Sequence, residues 1–346
     1  AGAPAPGKLA PPLEIAFGSQ LAQAWGDRKA LLLDRIATTR NAHERTFGLA
    51  FPAVRFVDVA DLGSLDYRIA IHGIAYGTGQ VHPQRMLAIR QGEDAPRVAG
   101  IEGRDPAFGI PGIWIEPGLA RQAADSGYSV IDPETVLITH FGEVMKAEAA
   151  TLLTRAVTGE LLDRLRERQP GLVEELVPNI MTVSDVQRIL QNMLTERVSI
   201  ANLDLIVETL VDLGRMERDP AALTERVRQA LGTAICNGLR GAHAQLAVLS
   251  LDPRLENQIV AGIGTREASA LGLEPRLAEQ LLRKLAPLAE AMLRQGKAPV
   301  LLCAGPLRRV LLKLTQRSIP QLAILSVDEI PLRLSLQSFD MVRLEA

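Results

Sequence analysis

The chain has 346 residues, enough for two or three domains, and 47% of them are apolar, which is ample for real cores. Aromatic residues make up only 3%, so those cores must be built from Leu, Ile, Val and Ala; a formal net charge of -2 argues against a nucleic-acid binder, which normally carries a basic footprint. No apolar run approaches the roughly 20 residues that span a bilayer, no secretory leader is expected, and the two distant cysteines, Cys236 and Cys303, read as reduced and buried rather than as a disulfide framework.

The chain opens on Ala1, in AGAPAPGKLAPP, a Pro/Ala/Gly stretch that reads as a linker and leads us to expect a fragment of a longer protein, with a membrane portion upstream. Asp27 to Asn41 is predicted helical, with Leu31, Leu32 and Ile36 on one face. Strand-like runs follow at Val54–Val59, Tyr67–Gly73 and Arg85–Arg90, with Gly77, Gly79, Pro83 and the stretch from Gln91 to Pro96 as turns between them. Between Arg104 and Pro117 three prolines, two glycines, Phe108 and Trp114 crowd together. A short helix over 118–125 and a strand at 129–131 come next. Asp132-Pro133 has the form of a helix start, and Thr139 reads as a second cap at a helix junction, with helix running on to about Arg155.

From Thr158 to Gly238 the pattern is almost wholly helical. Four or five helices are expected, with Thr158, Ser184, Ser199 and Asp219 as N-caps and Gly214 and Gly238 as stops. The remainder alternates: strand 246–251, helix 253–261, helix 274–295, strand 299–303, helix 306–316, strand 322–325. That is a β-α-α-β-α-β order with crossovers long enough for parallel pairing. The tail after Pro331 has no clear assignment. The fold class expected is mixed α/β: two mixed units in the N-terminal half, a helical unit in the middle and a β-α-α-β-α-β unit at the end.

No catalytic constellation stands out. There is no phosphate-cradling G-x-x-x-x-G-K-[ST], no zinc-type histidine pair, no C-x-x-C and no nucleophile elbow; Gly262-Ile263-Gly264 lacks the third glycine of a dinucleotide fingerprint. No cofactor and no metal site are expected. His140, beside Thr139, is the one histidine that invites an enzymatic reading, yet no partner acid or nucleophile is marked, so packing is the plainer reading. Arg308, Arg309 and Lys313 would form a basic helix face. The best functional candidate is the segment around Phe108 and Trp114. Its rings either form a preorganised dimple for a partner or plug the loop into its own core; residue chemistry leaves both open.

At these residues the chain resembles a family: the cytoplasmic domain of the large export-gate protein of type III secretion, in flagella and injectisomes. The resemblance rests on PLEIAFG at 12–18, FPAVRFVD at 51–58, YRIAIHG at 67–73, DPAFGIPGIWI at 105–115 and GYSVIDPETVLITHFGEVMKAEAATLLTR at 127–155. It continues through LVEELVP at 172–178, ILQNMLTERVSI at 189–200, LDPRLEN at 251–257, PVLLCAGPLRRVLLKL at 299–314 and LAILSVDEI at 322–330. It implies a linker (1–20), a first α/β subdomain (21–83 with 133–155), an inserted second subdomain (84–132), a helical ring-forming subdomain (156–238) and a C-terminal α/β subdomain (239–346). It further implies a non-enzymatic docking platform on the cytoplasmic face of the bacterial inner membrane, anchored upstream of residue 1. That platform would be a nonameric ring receiving export substrates, chaperone–substrate complexes and other export-apparatus components. Asp105, Phe108 and Thr139 fall on the family's chaperone-docking dimple, and Glu196, Arg197 and Ser199 on its subunit contact. Two departures stand out: Ala201-Asn202 replaces the family's usual Arg-Asp, and Gly112 a more usual Ala. The PVLLC and LITHFGEVMK segments favour the flagellar branch. Two rival readings are an α/β enzyme with a site near His140 and a nucleic-acid module on the basic face.

Overall fold

The computed structural model describes residues 12–92, 96–262 and 273–343; Ile263 and Gly264 of the incomplete dinucleotide motif lie outside them. The chain divides into two compact units. The first runs to Thr158 and takes in Ser199–Ala201; the second comprises Gly159–Val198 and the chain from Asn202 onward.

The first unit begins with β1 (Leu13–Phe17), α1 (Ser19–Ala24) and α2 (Lys29–Phe47). Strand β1 falls inside the stretch expected to be linker, and it is a central strand. Leu13, Ile15 and Phe17 are fully buried, and β1 pairs on both sides, with β2 (Val54–Asp58) in parallel and β3 (Asp66–Ile71) antiparallel. The Pro-rich lead-in and the single Glu14 hide a five-residue strand whose partners lie about 40 and 55 residues further on. On α2, Leu32 and Ile36 are buried while Leu31 is exposed, because neighbouring helix positions point about 100° apart.

A two-residue turn at His72 and Gly73, with φ of 49° and 81°, joins β3 to β4 (Ile74–Gln80). Gly77 and Gly79, read as turn residues, are strand residues of β4. They are small because space is short: a Cβ on Gly79 would sit 2.5 Å from the Tyr67 hydroxyl, and one on Gly77 would sit 2.9 Å from Val144 Cγ2. This sheet has the order β2-β1-β3-β4.

The inserted sheet has the order β6-β7-β5-β8, antiparallel throughout, from β5 (Met86–Arg90), β6 (Ile101–Arg104), β7 (Pro111–Ile115) and β8 (Tyr128–Ile131). Helix α3 (Ala120–Asp125) supplies Ala123 to a small core with Ala88, Ile115 and Tyr128. Next come α4 (Pro133–Ala147) and α5 (Ala149–Leu152). Asp132 caps α4, accepting the Thr135 N–H at 2.8 Å, and Pro133 occupies the first turn. The helix then runs unbroken, so Thr139 is mid-helix and not at a junction.

Six helices follow where four or five were expected: α6 (Arg155–Arg168), α7 (Pro170–Leu176), α8 (Val183–Thr195), α9 (Leu203–Leu213), α10 (Pro220–Ala230) and α11 (Gly232–Arg240). Asp219 caps α10 as expected. The other three expected caps do not hold. Thr182, not Ser184, caps α8 through a reciprocal box with Asp185. Thr158 lies inside α6, and Ser199 precedes α9 by four residues. Gly238 sits within α11, which ends at Gly241 instead.

The last sheet is built from β9 (Leu246–Leu251), β10 (Val300–Cys303), β11 (Ala323–Ser326) and β12 (Leu336–Val342). Its order is β11-β10-β9-β12 and every pairing is parallel. The unassigned tail is therefore an edge strand. Helices α12 (Pro253–Gly262), α13 (Pro275–Arg294) and α14 (Gly305–Thr315) make the connections. Leu281, Leu285 and Met292 of α13 and Leu307 and Leu311 of α14 bury completely in one core with Leu249 and Leu301. Cys236 of α11 packs in a second core with Leu246, Val248, Val300 and Leu325. Both cysteines are free and buried. Burial pushes the Cys236 thiol up to about 11 and the Cys303 thiol up to about 12.

Candidate docking site

The loop between β6 and β7 is stapled from inside. The Asp105 N–H donates to the Ile110 carbonyl, and the Gly109 N–H donates to the Asp105 carbonyl, each at 2.8 Å. The Asp105 carboxylate accepts the Phe108 N–H, also at 2.8 Å. Gly109 takes the left-handed conformation, φ 68°, that closes the turn. Arg104 Nη1 donates to the Gly109 carbonyl at 3.0 Å.

The two aromatic rings of this segment part company. Trp114 is 2% exposed and Phe108 is 60% exposed. The reason is register. Trp114 faces the same way as its partners Leu87 and Ile101, and Gly103 clears space, since a Cβ there would lie 2.9 Å from the indole. Phe108 sits at the tip of the loop, outside the ladder. Of the two readings left open, Trp114 fulfils the core-plug and Phe108 the preorganised exposed ring.

Beneath the loop lies a buried polar chain. Asp105 is 4% exposed, and burial raises its carboxyl above its ordinary value against the opposing pull of the Phe108 and Ala107 amides. The same carboxylate, after burial itself, holds the Tyr67 phenol neutral well above its ordinary range. Tyr67 Oη lies 2.6 Å from His140 Nδ1, and burial lowers the His140 imidazole. Both rings are therefore neutral at pH 7, with a phenol–imidazole hydrogen bond between them. His140 is 7% exposed and lines neither of the two clefts described below. Thr139 is half-buried on the same helix. Asp105 is thus joined to Phe108 by a hydrogen bond and to Tyr67 by charge, and Tyr67 is joined to His140, the residue after Thr139. Tyr67 went unnoticed in the sequence, because a tyrosine in a strand gives no sign of the helix 73 residues away that it meets.

The residues expected at a subunit contact diverge. Glu196 follows the end of α8 with its carboxylate 9% exposed, and Arg308 Nη2 donates to it at 3.1 Å. Arg228 reaches the same carboxylate at 3.1 Å and Glu329 at 2.7 Å. Arg308 also bonds Glu225. Arg308 is fully buried, which overturns its place on an exposed basic face; Arg309 is exposed and lies 3.6 Å from Asp219. Arg197 is exposed and left-handed, φ 58°, in a helix-ending turn where its N–H reaches the Leu194 carbonyl and the Val198 N–H reaches that of Met193. Ser199 Oγ accepts the Ala201 N–H at 3.2 Å, and the Ile200 N–H donates to the Phe47 carbonyl at 2.9 Å.

Among the described residues, clefts open on the first unit. One of about 520 Å³ is lined by residues of α1 and by His82 to Arg85. One of about 840 Å³ lies among β4, β5, β6 and β7. Among the described residues, no group of His, Cys, Asp and Glu could hold a metal ion, and no helix is long and apolar enough to cross a membrane.

A model of the FHIPEP family matches residues 8–335. The flagellar biosynthesis protein FlhA of Bacillus subtilis is 36% identical over 337 residues, 96% of this chain and 49% of that protein. FlhA of Escherichia coli is 38% identical over 298 residues, 85% and 42%. The chain thus spans about half the length of the curated relatives it matches. Its fold is shared with the solved Chlamydia pneumoniae CdsV protein, at a TM-score of 0.83 and 22% identity, covering 97% of this chain and 99% of that one. It is also shared with the nonameric EscV cytosolic domain of a type III secretion system, at a TM-score of 0.75 and 20% identity, covering 98% of each.

Proposed function

The chain belongs to the FHIPEP family, and from that premise we propose that it is the cytoplasmic docking platform of a type III protein export gate. It receives chaperone–substrate complexes and export substrates, and it forms a homo-oligomeric ring below a membrane channel that the rest of a longer protein builds at the bacterial inner membrane. Its work is binding, with no bond made or broken. The flagellar system is favoured, since the curated relatives at 36–38% identity are flagellar. A nonameric solved neighbour with the same fold supports the ring, and a CdsV–CdsO complex among the neighbours supports contacts with other export-apparatus components.

One observation carries the docking assignment: Phe108 is 60% exposed on a loop held rigid from within. A large ring that folding has already ordered loses little entropy when a partner covers it. An apolar group of the chaperone seats on Phe108, while Asp105 holds the loop and Thr139 borders the site. Arg197 is the exposed member of the proposed subunit contact; Glu196 acts there through its own subunit's arginines. Calorimetry with a chaperone–substrate complex tests the docking. Phe108→Ala is expected to weaken binding by about 10-fold or more with thermal unfolding unchanged. Equal affinity in a folded variant sinks the assignment.

A further inference from the structure

The 840 Å³ cleft is lined by Arg90, Arg97 and Arg104, against the single carboxylate of Glu102. None of Asp105, Phe108 or Thr139 lines it. The three arginines are exposed, and among the described residues none of them pairs with a carboxylate. Two are held in place by neutral groups. Arg90 Nη2 donates to the Tyr128 hydroxyl at 3.3 Å, with its guanidinium 5.9 Å from that ring's centre. Arg104 donates to the Gly109 carbonyl. Tyr128 in turn donates to the Pro96 carbonyl at 2.9 Å, anchoring the chain next to Arg97.

The cleft is bordered by two open sheet edges. Thr78, Gly79 and Gln80 belong to β4, which among the described residues pairs with β3 alone; Glu102, Gly103 and Arg104 belong to β6, which among them pairs with β7 alone. An open edge offers unpaired backbone donors and acceptors to an extended chain, and unpaired guanidiniums offer forked donors to carboxylates. We infer that this cleft binds an extended, carboxylate-rich peptide segment of a protein partner, which adds as a strand along an open edge while its acidic side chains engage Arg90, Arg97 and Arg104. It is a second contact surface beyond the Phe108 loop.

The test uses the whole chain and a fluorescent ten-residue peptide alternating Glu with Val and Thr, beside the same peptide with Lys for Glu. Fluorescence anisotropy is expected to show binding of the acidic peptide alone, weakening about 10-fold or more between low and roughly 0.3 M salt. Arg97→Glu and the double variant Arg97→Glu/Arg104→Gln should lose a further 10-fold or more with unchanged melting. Phe108→Ala should bind the peptide as the parent does, so failure here is distinguishable from failure of the docking reading. Binding of neither peptide, equal binding of both, or undiminished binding by folded arginine variants overturns the inference.

Discussion

Phe108 and Trp114 lie six residues apart and do opposite things. Trp114→Ala opens a cavity in the inserted sheet and is expected to cost about 3–5 kcal/mol, whereas Phe108→Ala on the surface should stay within about 0.5 kcal/mol; denaturant titration of the pair checks the contrast. Asp105 adds a charge effect. Folding raises its pKa, so the folded chain holds the proton more tightly than the unfolded one, and the carboxylate opposes folding once pH exceeds the folded value. Asp105→Asn keeps an oxygen for the Phe108 N–H and removes that cost. Its melting temperature at pH 7 should equal or exceed the parent's, and a clear loss would show that the charge itself holds the loop.

At the scale of elements, caps and glycines set the helices. Thr182→Ala removes the reciprocal box that starts α8 and is expected to destabilise by about 1 kcal/mol, read as a lower unfolding midpoint. Helix α11 offers an internal contrast. A Cβ on Gly232 would fall 2.2 Å from the Glu329 backbone oxygen, while one on Gly238 meets nothing within 4 Å. Gly232→Ala should therefore destabilise by about 1–3 kcal/mol, and Gly238→Ala should stabilise by roughly 0.5–1 kcal/mol. If the two variants unfold alike, the packing of α11 against that carbonyl is wrong. The elements legible in advance were those with local signals: Asp132-Pro133, Asp219-Pro220 and the strands at 246–251 and 300–303. Strands β1, β4 and β12 were missed for separate reasons. The partners of β1 and β12 lie far along the chain, β12 is a largely exposed edge strand, and glycine or proline beside β1 and within β4 masks the alternation.

Across the whole molecule, two kinds of buried polar group set conditions on stability. Arg308, with Glu196, Glu225, Arg228 and Glu329, ties α8, α10, α14 and the turn after β11 together inside the second unit. Arg308→Met leaves Glu225 without its arginine and Glu196 with Arg228 alone, and is expected to cost about 3–5 kcal/mol; a loss under about 1 kcal/mol would mean the cluster is solvated. The buried His43 and His140 and the half-buried His82 act through pH. Burial lowers His43, His82 and His140 below 6.5, so below that pH the unfolded chain binds protons that the folded chain refuses. Their contribution is complete above pH 6.5 and is lost as pH falls through the folded values. Thermal unfolding midpoints should drop between about pH 7 and pH 5, and His140→Gln should flatten the profile; a flat parent profile refutes the account.

The sequence by itself determined the mixed α/β class, the helical middle, the order of the first three strands and the helices of the C-terminal sheet, and the segment in which an exposed ring would be found. Those properties follow from periodicity, caps and short-range turn chemistry, which are written within a few residues of where they act. Only the tertiary structure decided which ring of that segment faces solvent, that Thr139 sits within one continuous helix, that Tyr67 links Asp105 to His140, and that Arg308 is buried among carboxylates. Each of these depends on which side chains meet across tens of residues, and burial, pKa and pairing are properties of that meeting.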